Sequence, residues 1–132
     1  MHLRSFVGGH VEIVDSQTRL HEAAGLMLKH VIGSLLVVDG DAISGILTEH
    51  DLARALAHNP DLEEETVGTW MSDYPTKASP SWTIDEAADM MLVRGFRHMP
   101  VLEGDRPVGM VSIKDLMWAI RAPAPPKGGQ AD

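Results

Sequence analysis

The sequence matches itself when it is displaced by 64 residues, and no other feature narrows its possible folds as much. Leu20-His-Glu-Ala-Ala-Gly-Leu-Met-Leu28 falls on Ile84-Asp-Glu-Ala-Ala-Asp-Met-Met-Leu92. The register then continues without a gap. Val37 meets Val101, Gly40-Asp41 meets Gly104-Asp105, Gly45 meets Gly109, Asp51-Leu52 meets Asp115-Leu116, and Ala55 meets Ala119. About a dozen identities over roughly 37 positions make the chain a duplication. Its fold must therefore be two copies of one small unit.

Each copy carries the same order of patterns. Apolar residues at 20, 23, 24, 27 and 28, and at 84, 87, 88, 91 and 92, follow the spacing of an amphipathic helix. Thr83 with Asp85 and Glu86 marks a helix start, since acids in the first turn suit the helix dipole. The period then shortens. Leu35 to Val38 and Met99 to Leu102 are apolar runs closed by Asp39-Gly40-Asp41 and Glu103-Gly104-Asp105, which are hairpin turn signals. Second strands follow at Ala42 to Leu47 and Arg106 to Val111. A second helix opens near Thr48 or Ser112, turning Leu52, Ala55 and Leu56, or Leu116, Ala119 and Ile120, inward. Short first strands are expected around Val11 to Val14 and Thr76 to Ala78. The fold class is α+β, with strand-helix-strand-strand-helix twice over. The reading places repeat one at about 7–58, a connector at about 59–70 and repeat two at about 71–121, together forming one module over 1–121. Leu62 to Glu65 reads as an acidic, solvated connector, and the proline- and glycine-rich 122–132 as a flexible tail.

Composition removes several function classes. A net charge of −8 opposes the basic face that nucleic-acid backbones require, so no nucleic-acid partner is expected. With no cysteine there is no disulfide framework, thiolate metal site or cysteine nucleophile. No apolar run reaches the length of a membrane span, and Met1 to His10 lacks signal-peptide order, so a cytoplasmic protein without membrane contact is expected. The seven histidines form neither His-x3-His nor His-Glu-x-x-His, and no metal is expected. Phe6-Val-Gly-Gly-His10 lacks the Lys-Ser/Thr end of a phosphate loop. Ser112, His98 and Asp115 have no strained Gly-x-Ser-x-Gly turn to make a hydrolase triad. No enzymatic activity is expected.

Two segments remain, Gly45-Ile-Leu-Thr48-Glu-His-Asp51 and Gly109-Met-Val-Ser112-Ile-Lys-Asp115. Both fit Gly-apolar-apolar-Thr/Ser-x-x-Asp, and with Met99-Pro100-Val101 they resemble the CBS-domain family (cystathionine-beta-synthase-type, the Bateman module) from Val11 to about Arg121. The resemblance implies two tandem repeats packed with pseudo-twofold symmetry, a homodimer, and clefts that take AMP, ADP, ATP or S-adenosylmethionine as a regulatory ligand, with no cofactor required. An Asp in the first turn of a helix suits ribose hydroxyls because an ionised acceptor makes strong hydrogen bonds. The Thr or Ser beside it, with free backbone N–H groups, suits phosphate. Gly45 and Gly109 allow close backbone approach. Simple capping accounts for the same residue types at the same places.

Carried over residue by residue, the resemblance assigns one ligand set to Ile46, Thr48, Asp51, Thr76, Lys77, Ala78, Phe96, Arg97, His98, Met99 and Pro100. Arg97 and His98 fall where phosphate-reaching bases stand in nucleotide-binding members, and arginine suits that task through its donor fork. The second set is Ile13, Val14, Ile32, Gly33, Ser34, Leu35, Met110, Ser112 and Asp115. It has Gly33 and Ser34 in place of the basic pair, Leu36 in place of the proline, and Glu12 to repel phosphate. The whole reads as a sensor that acts on a separate, unidentified protein. The alternative is a ligand-free interaction or dimerisation module, with Trp70, Met71, Met117 and Trp118 as candidate surface anchors.

Overall fold

The repeat length reappears in the backbone. The computed structural model describes residues 1–5, 11–58, 61–73 and 76–121; the expected tail at 122–132 and the glycine pair of 6–10 lie outside them. Two units form, Glu12–Pro75 and a second made of Met1–Val11 with the chain from Thr76 onward. The first unit contains β1 (Ile13–Val14), α1 (Leu20–His30), β2 (Ser34–Asp39), β3 (Ala42–Thr48), α2 (Glu49–His58), the short helix α3 (Val67–Trp70) and β4 (Ser72–Asp73). The second contains a 3-10 turn (Leu3–Ser5), α4 (Ile84–Arg94), β5 (His98–Glu103), β6 (Arg106–Ser112) and α5 (Ile113–Arg121).

The hairpins β2–β3 and β5–β6 share one irregularity, a register shift between Val37 and Val38 and again between Val101 and Leu102. Their turns place Gly40 and Gly104 at φ 62° and 63°, where a side chain would be strained. In the first unit β1 pairs parallel with β2, and β4 adds antiparallel to β3, giving the order β1-β2-β3-β4. In the second unit the expected strand at Thr76 to Ala78 shrinks to a single parallel bridge from Ala78 to Val101. Asp39 closes the first hairpin against the loop before α1: it accepts from the Ser44 hydroxyl and from the amide and hydroxyl of Ser16. These bonds, Ser44 first, hold its carboxyl below the usual carboxylate range.

The two cores are built from matching positions. Val14, Leu20, Ala23, Met27, Leu35, Val37 and Leu47 in one correspond to Ala78, Ile84, Ala87, Met91, Met99, Val101 and Val111 in the other. The inward face of each helix is narrower than the sequence pattern suggests. Leu28 and Leu92 are exposed, as are Leu56 and Ile120, because one hairpin covers only one side of a helix. Trp70 and Met71, expected as surface anchors, instead pack partly against the first core.

Two segments without a periodic pattern complete these cores. In the first unit the Leu20 amide donates to the Glu65 carbonyl, and Val67 and Gly68 donate back to Thr18 and Ser16. In the second the Ile84 amide donates to the Met1 carbonyl, and Leu3 and Arg4 donate to Trp82 and Pro80. Val67 and Leu3, again 64 apart, are both fully buried. The acidic stretch before α3 is therefore structural as well as solvated: Arg19 donates to the Glu63 carbonyl and pairs with Glu64.

The first helices of the two repeats are capped differently. α4 starts at Thr83 with a reciprocal capping box to Glu86 and stops at Gly95 in the left-handed region. α1 starts at Arg19 with no side-chain cap and stops at Val31 with φ 54°. A β-branched residue there is strained by about 1–2 kcal/mol. Val31→Gly is expected to raise unfolding stability by about 0.5–1 kcal/mol, the strain relief less the entropy cost of glycine, while Gly95→Val lowers it by about 1–2 kcal/mol; urea denaturation of the two variants checks both signs.

Candidate functional site

The β3–α2 junction gathers the charged centre of the first unit. The chain leaves the hairpin at Thr48 and enters α2 at Glu49, so the first-turn amides lie beside the Thr48 side chain. Asp51 sits one turn in and is only 3% exposed. Its Oδ2 accepts from the Thr48 amide at 2.8 Å and from the Thr48 hydroxyl at 3.1 Å, while the Asp51 amide donates to that hydroxyl's oxygen at 3.3 Å. Its Oδ1 accepts from Arg54 Nη2 at 3.0 Å. A carboxylate buried this far is stable only with such partners.

Arg54 extends the network. The same Nη2 donates to the Trp70 carbonyl at 3.1 Å, and the guanidinium lies 5.5 Å from the Trp70 ring centroid. Trp70 Nε1 in turn donates to Glu65 Oε1 at 2.8 Å. His58 Nδ1 lies 3.0 Å from the Arg54 carbonyl, and its ring stands tilted against Trp70 at 5.7 Å. Reading the sequence for its motif missed Arg54 and Trp70. The usable signal was the spacing Asp51-x-x-Arg54, which places the two side chains on one helix face.

The β6–α5 junction is the open counterpart. The Ser112 amide donates to Asp115 Oδ2 at 3.2 Å, and the Asp115 amide donates to Ser112 Oγ at 3.1 Å. Asp115 is exposed, and the position equivalent to Arg54 holds Trp118, itself 69% exposed.

The remaining site residues fall beside these junctions within their own units. In the first, Ser34 lies opposite Thr48 and Leu35 opposite Leu47, the Gly33 carbonyl accepts from the Glu49 amide at 3.1 Å, and Ile13 and Val14 run along Leu36 and Val37. Ile46 is buried next to Leu36, and Ile32 packs partly on the core. In the second unit His98 lies opposite Ser112 and Pro100 opposite Met110. The Arg97 carbonyl accepts from the Ile113 amide at 2.8 Å, and the Ala78 amide donates to the Pro100 carbonyl at 2.9 Å. Arg97 and Lys77 are exposed, Thr76, Phe96 and His98 half-buried, and Ala78, Met99 and Pro100 buried. Each unit thus brings a first-strand segment, the start of a hairpin strand and a Thr/Ser-x-x-Asp helix start to one end of its sheet. Gly45 does permit a close approach, but by the chain itself: a Cβ there would stand 2.2 Å from the Ser72 carbonyl of β4. Among the described residues no group of three His, Asp or Glu could hold a metal ion, and no helix is long and apolar enough to cross a membrane.

The chain belongs to the CBS-domain family, whose pattern covers residues 5–58 and 67–122. It is 30% identical over 107 residues to the CBS domain-containing protein YhcV of Bacillus subtilis, covering 80% of this chain and 76% of that one. Among solved structures it superimposes on a CBS-domain-containing protein of Agrobacterium tumefaciens with a TM-score of 0.85 at 30% identity, over 91% of this chain and 99% of that one. The CBS domain pair of protein MJ0100, solved in complex with 5′-methylthioadenosine and S-adenosyl-L-methionine, gives 0.83 at 26% identity over 91% and 95%. Two CBS repeats in a mixed helix and strand fold are thereby established.

The contrast between the junctions has a direct consequence for stability. Asp51→Ala removes three hydrogen bonds to a buried carboxylate and leaves the Thr48 amide without its partner, so it is expected to cost about 2–3 kcal/mol. Asp115→Ala loses an exposed helix-start contact worth less than about 1 kcal/mol. Thermal or chemical denaturation of the ligand-free variants measures the gap between them.

Proposed function

We propose that this chain is a regulatory sensor module that binds an adenosine-containing ligand, of the class of AMP, ADP, ATP or S-adenosylmethionine, and acts on a separate protein rather than as an enzyme. The observation that carries the reading is the Thr48–Asp51 junction: an oriented carboxylate beside a hydroxyl and the first amides of a ten-residue helix. A carboxylate accepts ribose hydroxyls, and helix-start amides favour negative charge. Membership of the CBS family supports it, as does the likeness to a domain pair whose solved complex holds two adenosine compounds.

In this reading the ligand residues are those that the family resemblance implies, namely Ile46, Thr48, Asp51, Thr76, Lys77, Ala78 and the stretch Phe96 to Pro100. Asp51 takes ribose, Arg97, His98 and Lys77 take phosphate, and Ile46 and the half-buried Phe96 supply apolar surface for the base. The second set, with Ile13, Val14, Ile32 to Leu35, Met110, Ser112 and Asp115, carries no basic pair. Without that pair it either stays empty or takes an uncharged adenosine moiety. Calorimetry with AMP, ADP, ATP and S-adenosylmethionine tests the assignment. Asp51→Asn, which keeps the side-chain shape, is expected to weaken nucleotide binding by about 1.5–3 kcal/mol. Arg97→Gln is expected to weaken AMP more than adenosine, and Asp115→Asn to leave AMP nearly unchanged. AMP affinity that survives Asp51→Asn but not Asp115→Asn reverses the assignment.

A specific observation favours a second role, self-association. Met117, Trp118 and Ile120 on α5 and Leu56 on α2 leave large apolar side chains in water. A homodimer burying them is expected, and sedimentation should show Trp118→Asp shifting a dimer towards the 14.4 kDa monomer. A parent that sediments as a monomer at micromolar concentration removes this role without touching the first.

A further inference from the structure

The outward face of α4 carries a hollow of about 600 Å³, open to water and within the size range of ligand clefts. Trp82, Glu86, Asp89, Met90, Val93 and Arg94 line it, all from one unit. On a helix the positions from 86 to 94 make one stripe, with the acids towards the start, Met90 and Val93 in the middle and Arg94 at the end. Trp82 stands beyond the acidic end. Two of these groups are fixed before anything binds. The Trp82 main chain accepts from Leu3 and donates to Ser79, and the side chain packs partly on the second core. Glu86 is held by the capping box, its Oε1 accepting from the Thr83 amide at 2.8 Å. The other polar groups await partners: among the described residues Asp89 and Arg94 have no ion pair and the Trp82 indole N–H no acceptor, whereas Trp70 gives its indole N–H to Glu65. Packing does not dictate this stripe, because the equivalent positions of the first repeat hold Thr18, Glu22, Gly25, Leu26, Lys29 and His30.

We propose that this groove is the docking site for the separate protein on which the module acts, and that its occupant is an amphipathic helix of that protein with a base at one end of its apolar stripe and an acid at the other. The inference rests on the proposed reading that the chain regulates another protein, and adds the chemistry of that partner. Charge sets the pattern. A base in the occupant belongs at the end with Glu86, Asp89 and Trp82, where carboxylates and an indole both attract a cation, and an acid belongs beside Arg94. Between them Met90 and the 82% exposed Val93 meet apolar side chains, as when a helix lies in a hydrophobic groove. A second copy of this chain fits less well. A twofold contact would set the hollow against itself, and Met90 and Val93 line that hollow rather than fill it. The self-association proposed above uses α5 and α2 instead.

The test is fluorescence anisotropy of the full chain with two labelled, capped, alanine-rich helical peptides, one whose apolar face reads Glu-Leu-Leu-Arg and one whose face reads Arg-Leu-Leu-Arg. The parent should bind the first about threefold or more tightly than the second, the size of a few exposed ion pairs. Attraction to the net charge of −8 alone would give the opposite order. Arg94→Glu makes both ends of the groove acidic and should invert the preference, while Val93→Asp should weaken both peptides about tenfold. If circular dichroism shows Arg94→Glu unfolded, Arg94→Gln decides the matter by bringing the two affinities to within about twofold. A parent that prefers Arg-Leu-Leu-Arg or binds neither peptide overturns the inference, as do parental affinities in both Arg94→Glu and Val93→Asp. Should neither peptide bind while Val93→Asp lowers the sedimenting mass, the groove is a contact between copies and the inference is likewise overturned. The nucleotide panel is run on the same proteins: nucleotide binding without peptide selectivity overturns this inference alone, and peptide selectivity without nucleotide binding overturns the adenosine reading alone.

Discussion

The first amides of an α-helix have no partners within the helix, and in both repeats a distant stretch of main chain helps to supply them. Glu65 offers its carbonyl to Leu20, and Met1 offers its own to Ile84. These backbone bonds organise each unit, because the residues that follow, Val67 and Leu3, enter the core at fully buried positions. The same segment in the first unit then forms α3 and β4, and through Trp70 it reaches Arg54. A helix start, a core side chain and a buried acid are thus held by one run of chain. The acidic composition of that run is secondary to its main-chain geometry.

Duplication made two units with one architecture and unequal chemistry. The shared parts are those that packing enforces: a hairpin with the same register shift, a glycine turn at the same place, and core side chains at matching positions. The divergent parts lie where packing does not decide. One repeat has an α4 with a capping box, and the other has an α1 with no side-chain cap and a strained Val31. One acid is buried and paired, and its counterpart is exposed. The buried carboxylate has its orientation fixed by Thr48 and Arg54, whereas among the described residues the exposed one is held by the Ser112 amide alone.

The sequence by itself determined the duplication, the order of elements in each copy, the hairpin turns at Gly40 and Gly104, and the helix starts at Thr48 and Ser112. Those features are local: a period of two or of 3.6, a turn residue and a cap are written in neighbouring positions. The family resemblance was equally legible, because its motif lies within seven consecutive residues. Three things were not. The roles of Met1–Ser5 and of the chain from Glu65 to Asp73 have no periodic signature, since each gains its structure by pairing with a helix or strand remote in sequence. The outward positions of Leu28, Leu56 and Ile120 depend on how much of a helix one hairpin can cover. The pairing of Asp51 with Arg54 was permitted by their spacing, but it was decided by the Trp70 carbonyl and ring, which only the folded chain brings within reach of the guanidinium.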